Sequence, residues 1–192
     1  MGFAQIGNIE GGGGSHKAKR VQRLFHGDAG QKARIRKATL YHYFSSKQEL
    51  LYLTLLEAVS GALAQAQKIV ESDASSRRKL RLFLIDHIES IVLNLEAVTV
   101  FLEEGRYLEK AYREKYVSMR DKYEKLLRRI IEEGMARGEF RKIDPKIMGF
   151  AILGMCNWMI RWYDPNGPLS ARKIAIRYVN ILEKGLLREN LK

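Results

Sequence analysis

Cysteine and proline are scarce: the 192 residues contain one Cys and three Pro. A single thiol, Cys156, excludes an intrachain disulfide framework and fits the reducing cytoplasm. Met155 and Met159 flank it, which suggests a packed thiol and not a nucleophile. Two of the prolines, Pro165 and Pro168, share one turn, so long stretches are free to be helical. Histidine is also rare. His16, His26, His42 and His87 show no metal-ligand spacing, and no His-x-x-x-His, cysteine cluster or nucleophile elbow occurs. The glycines at 11–14 are not followed by the Lys-Ser/Thr of a phosphate-binding loop. No acid–base pair stands out, so neither an enzyme nor a cofactor or metal site is expected. No basic stretch leads into an apolar run at the start, as a secretory signal requires. The most apolar segment, 147–163, is short for a membrane span and contains Asn157 and Arg161. It reads as a buried helix, and no membrane partner is expected.

What the chain has in excess is positive charge, +12 overall. Residues 1–44 hold eight Lys or Arg against two acids, which is half of that excess in under a quarter of the length. A basic segment on a milder body suits a polyanion, either nucleic acid or an anionic surface; the plain alternative is a solvated basic face. At 46% hydrophobic residues the remainder can bury a core.

Helical periodicity dominates and no strand-type alternation of useful length appears, so the fold class is all-α. After a glycine-rich arm, 17–26 is a short helix with Val21, Leu24 and Phe25 on one face, and 36–44 is a second with Leu40 and Phe44 turned inward. Ser45 with Gln48, or Ser46 with Glu49, forms a capping box opening a long helix to about Glu71. Leu50, Leu53, Leu56, Leu63 and Ile69 give most of its stripe. Ser75 caps a helix whose stripe includes Leu80, Leu84, His87/Ile88, Ile91 and Leu95, with a break at Gly105. Tyr112, Tyr116, Met119, Tyr123, Leu126 and Ile130, spaced alternately four and three apart, define the next long helix, which Gly134 and Gly138 weaken and end. Asp144-Pro145 starts a helix that is apolar on nearly every side and must be covered on most of them. The 164–168 stretch is a turn, and Ser170 caps a last helix with Ile174, Tyr178, Ile181 and Leu182 on one face.

The run from Lys37 to Leu51, with its Thr39-Leu40-Tyr41 core, aromatic Phe44 and capped Lys47, resembles the recognition helix and following helix of TetR-family repressors. The resemblance implies a helix-turn-helix DNA-binding domain at 1–46 and a helical ligand-binding and dimerisation domain at 47–192. It places Lys37, Ala38 and Thr39 nearest base edges, Arg36, Tyr41, His42 and Tyr43 on phosphates or bases, and Lys47 on a phosphate at a helix N-terminus. One departure stands out. Between Phe25 and Lys37 there are few residues for the family's second helix, and Arg34 occupies the position of the usual turn glycine. A degenerate head, a local alteration of the coding sequence and a genuine short variant all remain open.

The segments 104–108, 120–123, 138–145 and 157–163 are similar to a branch of that family that senses acyl-CoA esters. That similarity implies an apolar tunnel with cations for phosphates, for which Arg106, Tyr107, Tyr123, Asn157, Trp158, Arg161 and Trp162 are the candidate residues. Trp158 and Trp162, at i and i+4, suit an ordinary core equally well, and Arg161 could simply pair with Glu104 or Asp164. The implied partners are operator DNA, an acyl-CoA or similar apolar effector, and a second copy of the chain through the helices at 145–163 and 170–188. The alternative function is a helical acyl-CoA or lipid-binding protein with a head that no longer binds DNA.

Overall fold

A computed structural model describes residues 46–186. The arm and the two short helices expected before Ser45 lie outside the described residues, as do residues 187–192. Six α-helices appear in the described part: α1 (Lys47–Glu71), α2 (Ser76–Leu93), α3 (Leu95–Glu104), α4 (Lys110–Ala136), α5 (Pro145–Asn157) and α6 (Ala171–Leu186). Short 3-10 turns at Gly105–Tyr107 and Trp158–Arg161 follow α3 and α5. The all-α expectation holds.

The helix starts are set by the expected caps. Ser46 Oγ accepts from Glu49 N at 3.0 Å, and Ser75 Oγ from Arg78 N at 3.3 Å. Asp144 Oδ1 accepts from Lys146 N and Ile147 N at 2.9 and 3.0 Å, with Pro145 following where no N–H is needed. Ser170 Oγ accepts from Lys173 N at a longer 3.4 Å.

One boundary differs from the sequence reading. The stripe through Leu95 is interrupted at Asn94, which ends α2. Its backbone N–H and its side-chain Nδ2 both donate to Ser90 O, at 3.1 and 3.0 Å, so the amide competes for the carbonyl that helix propagation uses. Asn94 leaves helical dihedrals there, at φ −120° and ψ 33°, and α3 starts at Leu95.

α1 packs on α4, α2 lies between α4 and α6, and α5 closes against α4. The centre is sealed by Phe83, Leu84 and Ile88 from α2, Leu127, Ile130 and Ile131 from α4, Ile152 from α5 and Met159 after it. Truncating one such side chain to Ala costs about 2–5 kcal/mol. On α4 the sealed position is Leu127, while the expected Leu126 is only half-buried. A four-three spacing repeats every 3.5 residues, whereas a straight helix turns every 3.6, so the inward face drifts along the helix.

The end of α4 is tightly built. Gly138 has φ +72°, the left-handed conformation that suits glycine, and Glu139 N and Phe140 N both donate to Gly134 O, at 2.9 and 3.1 Å. The turn folds Phe140 back onto Gly134 so closely that a Cβ there would stand 2.1 Å from a ring carbon. It also delivers Glu139 to the start of α2, where its two oxygens accept from Ser76 N at 3.2 Å and Arg77 N at 2.9 Å. A carboxylate at a helix N-terminus meets unpaired N–H groups and the positive end of the helix dipole. Nearby, buried Lys79 donates to Val70 O at 2.6 Å and to Glu133 at 3.0 Å. Burial alone would raise the Glu133 carboxyl, but hydrogen bonds from Lys79 and Arg129 outweigh it and hold the group below its usual range. On the other side of α2, Arg77 makes a two-pronged contact with Glu183 of α6, at 3.2 and 3.0 Å.

Candidate functional site

At the other end of α4 the helices part around a cavity of about 870 Å³. Its walls come from α1 (Val59, Ala62), α2 (His87, Ser90, Ile91), α3 (Val98, Leu102), α4 and α5 (Phe150, Leu153, Asn157). α4 contributes most. Arg113, Val117, Arg120, Glu124 and Arg128 recur at intervals of three and four and so share one face over four turns. Long polar side chains there hold the neighbouring helices away, while apolar groups from α1, α3 and α5 line the opposite walls.

The electrostatics are lopsided. Arg106, Arg113, Arg120, Lys125, Arg128 and Lys146 line the cavity against two acids, Asp121 and Glu124. The pairs between them are loose: Arg120–Asp121 at 3.7 Å and Arg128–Glu124 at 3.6 Å. Arg106 lies 4.7 Å over the ring of Tyr107. Among the described residues, Arg106, Arg113, Lys125 and Lys146 have no acidic partner. Such a site attracts anions.

A neutral polar chain crosses the wall. Tyr123 OH lies 2.9 Å from His87 Nδ1, and His87 Nε2 lies 3.2 Å from Asn157 Oδ1. Burial pushes His87 down to about 4, against the opposite pull of its bond to Asn157, so the ring is neutral at neutral pH. His87 also lines the cavity. Tyr123 is held well above its usual value, by burial first and then by Asp86 and Cys156, so its hydroxyl keeps its proton. Phe83 packs on the Tyr123 ring with centroids 5.0 Å apart. Burial likewise raises the Cys156 thiol to about 12, in keeping with a packed, inert side chain.

Of the seven candidate pocket residues, Arg106, Tyr123 and Asn157 line the cavity, and Tyr107, Trp158, Arg161 and Trp162 do not. Arg161 instead pairs with Glu103 at 2.9 Å, next door to the expected Glu104. The core reading of the two tryptophans is overturned: Trp158 is 65% and Trp162 47% exposed, because α5 gives way to a 3-10 turn at Trp158 and the helical register that would align them inward ends there. Sequence reasoning missed His87, Arg113 and Arg120. The three-four spacing of cations beside the tyrosine stripe of α4 was the available signal.

A second feature joins the cavity to the start of α1. Gln48 Nε2 donates to Tyr107 O, and Gln48 Oε1 accepts from Glu109 N, both at 3.1 Å. One side-chain amide thus clasps the backbone on both sides of Leu108, next to the cavity residue Arg106. Beside it Tyr52 stacks on Tyr112 with centroids 4.9 Å apart. The proposed DNA-contacting residues Arg36, Lys37, Ala38, Thr39, Tyr41, His42 and Tyr43 lie outside the described residues, and Lys47 is the first residue of α1.

Residues 73–186 match the family model for the tetracyclin repressor-like C-terminal domain, which is more than half of the chain. The chain belongs to the TetR family of transcriptional regulators. Over 166 residues it is 26% identical to the HTH-type transcriptional repressor KstR2 of Mycobacterium tuberculosis, covering 85% of this chain and 83% of that one. Among solved structures it is similar to the TetR-family regulator PfmR of Thermus thermophilus, at 32% identity and a TM-score of 0.74, covering 93% of this chain and all of the other. AibR, solved with isovaleryl coenzyme A and operator DNA, shares the fold at 24% identity and a TM-score of 0.68, over 88% and 94% of the two chains. TetR-family regulators act on transcription and are not enzymes, as the absence of catalytic motifs suggested. Among the described residues no group of His, Cys, Asp or Glu is placed to hold a metal, and no helix is long and apolar enough to cross a membrane.

Proposed function

We propose that this TetR-family regulator is a cytoplasmic, effector-responsive repressor that holds a palindromic operator as a dimer and releases it when an acyl-CoA, or a similar anion with an apolar tail, fills the cavity. The observation that carries this reading is the cavity itself. Its volume falls within the range of about 300–1,000 Å³ usual for small-molecule sites. Its lining combines apolar side chains with six cations, which suits a tail and a polyphosphate head at once. The KstR2 relatives are named as repressors, and AibR supplies a case of the same fold with a short acyl-CoA and DNA.

Exposed apolar surface supports the dimer. Ile147 and Trp158 on and after α5, and Ile176 and Ile181 on α6, are 42–65% exposed, which a second copy would cover. Two heads then meet successive major-groove faces. Release is a shift between two body shapes with different effector affinity. The Gln48 clasp provides the route: an effector held by Arg106 moves the 105–109 segment, and the clasp passes that movement to the first turn of α1, directly after the DNA-reading segment.

The test is a mobility-shift assay with the full chain on the DNA upstream of its own gene. Retardation that is reversed by micromolar dodecanoyl-CoA but not by CoA or dodecanoate is the expected result. The short span between Phe25 and Lys37 favours a second reading, an acyl-CoA-binding protein without operator binding. That reading predicts no retardation on any such DNA, with dodecanoyl-CoA binding intact.

A further inference from the structure

Anion binding does not need the Tyr123–His87–Asn157 chain, because none of the three is charged at neutral pH. Their geometry has a different consequence. A neutral imidazole has one donor and one acceptor. Asn157 Oδ1, 3.2 Å from His87 Nε2, can only accept, so the ring proton is on Nε2 and Nδ1 accepts from the Tyr123 hydroxyl over 2.9 Å. The chain thereby holds the Asn157 amide in one orientation. Its oxygen is committed to His87, and its NH₂ has no hydrogen-bond partner among the described residues. Asn157 lines the cavity, as do Leu153 and Ile91. The wall thus carries an oriented neutral donor with nothing in the protein to receive it. A ligand that fills the cavity displaces water from this donor, so a matching one replaces that hydrogen bond and a mismatched one leaves the donor unpaired at a cost.

Resting on the effector reading above, we propose that Asn157, oriented by His87 and Tyr123, is a specificity-determining residue that donates a hydrogen bond to an uncharged oxygen, carbonyl or hydroxyl, on the effector. A plain hydrocarbon surface at that point leaves the amide unpaired and is disfavoured. The oxygen has two possible sources in a thioester: the thioester carbonyl itself, or a keto or hydroxyl group on the acyl chain. Asn157 is the specificity residue, and His87 and Tyr123 are positioning residues that act through it.

Calorimetric titration of the full-length protein with three probes separates these cases: dodecanoyl-CoA, the thioether S-dodecyl-CoA, which lacks the carbonyl, and 3-hydroxydodecanoyl-CoA. Thioether binding about ten- to a hundredfold weaker than dodecanoyl-CoA assigns the oxygen to the thioester. Hydroxylated probe binding tighter by the same factor assigns it to the acyl chain. In either case Asn157→Leu levels the preference among the three probes, and Tyr123→Phe reduces it in part. Asn157→Gln, which keeps the amide, serves as the second variant and retains part of the preference. Equal affinity of all three probes for the wild-type protein, or a preference that survives Asn157→Leu, overturns the proposal while leaving the effector reading standing. If no CoA probe binds the wild-type protein, both fall.

Discussion

α4 passes through two environments, and the contrast between them explains the molecule. Along its C-terminal half, Leu127, Ile130 and Ile131 are sealed, Gly134 receives the Phe140 ring, and close polar pairs tie the helices together: Lys79 with Glu133, Glu139 on the start of α2, and Arg77 with Glu183. Along its N-terminal half the same helix carries Arg113 and Arg120 on a face around an open volume that reaches on to Arg128, with partners that are loose or lacking. Close packing with paired charges gives a rigid end. Long cations facing apolar walls give an end that is completed by something else. A regulator needs both, since a response to ligand requires a fixed frame against which one part moves.

Substitutions at the closed end should have the largest effects on stability. Phe140→Ala should cost about 3–5 kcal/mol and Gly134→Ala about 1–3 kcal/mol, measured by urea unfolding. Because the ring and the missing Cβ share one space, the double substitution should cost less than the two together. Strict additivity would mean that the closed end is not packed as described.

The open end should be sensitive to acid. His87 takes up its proton near pH 6.5 when unfolded but only near 4 when folded. Between those values the unfolded state binds more protons, so stability is complete above about pH 6.5. It then falls by about 3 kcal/mol as the pH is lowered to 4. The Glu133 and Glu183 carboxyls, held low by their partners, act in the same direction at lower pH, and they belong to the closed end. Comparing wild type with His87→Gln isolates the histidine: the variant should show a flatter profile from pH 6.5 to 4. Parallel profiles would place His87 in contact with bulk water.

Charge at the cavity should matter for ligand and little for folding. Arg113→Glu or Arg120→Glu should weaken dodecanoyl-CoA binding about tenfold at low salt, a change of roughly 1.4 kcal/mol, with the difference shrinking at high salt. Midpoints of unfolding should stay nearly constant, because these side chains are exposed.

The smallest effect on stability is expected at the joint. Gln48→Ala removes two exposed hydrogen bonds and should cost under about 1 kcal/mol. Effector affinity should be nearly unchanged, while the concentration of effector needed to release DNA should rise severalfold. If release is unaffected, the clasp does not carry the coupling.

The sequence was most informative where a local rule decides the outcome. Ser46, Ser75 and Asp144 begin helices because their side chains satisfy nearby N–H groups, and Gly138 ends one because its φ is positive. Periodicity located the core helices, yet it placed Leu126 where Leu127 is sealed, since small rotational drift accumulates along a long helix. The break at Asn94 was hidden because a single residue's hydrogen bonds to Ser90 override an otherwise continuous stripe. Site residues were harder to find. Arg106, Tyr123 and Asn157 could be picked as polar groups in apolar surroundings. His87 could not, because its meaning depends on partners 36 and 70 residues away. The tryptophans misled because composition says that a large ring seeks cover without saying which surface provides it.

The central claim is that one cavity takes a charged head and an apolar tail together. Thermal unfolding with dodecanoyl-CoA, CoA and dodecanoate, each at the same concentration, tests it most directly. The account predicts that the intact thioester at about a hundredfold over its Kd raises the midpoint by roughly 5 °C or more, and that neither half alone approaches this. A midpoint unmoved by the thioester, or moved equally by dodecanoate, would contradict it.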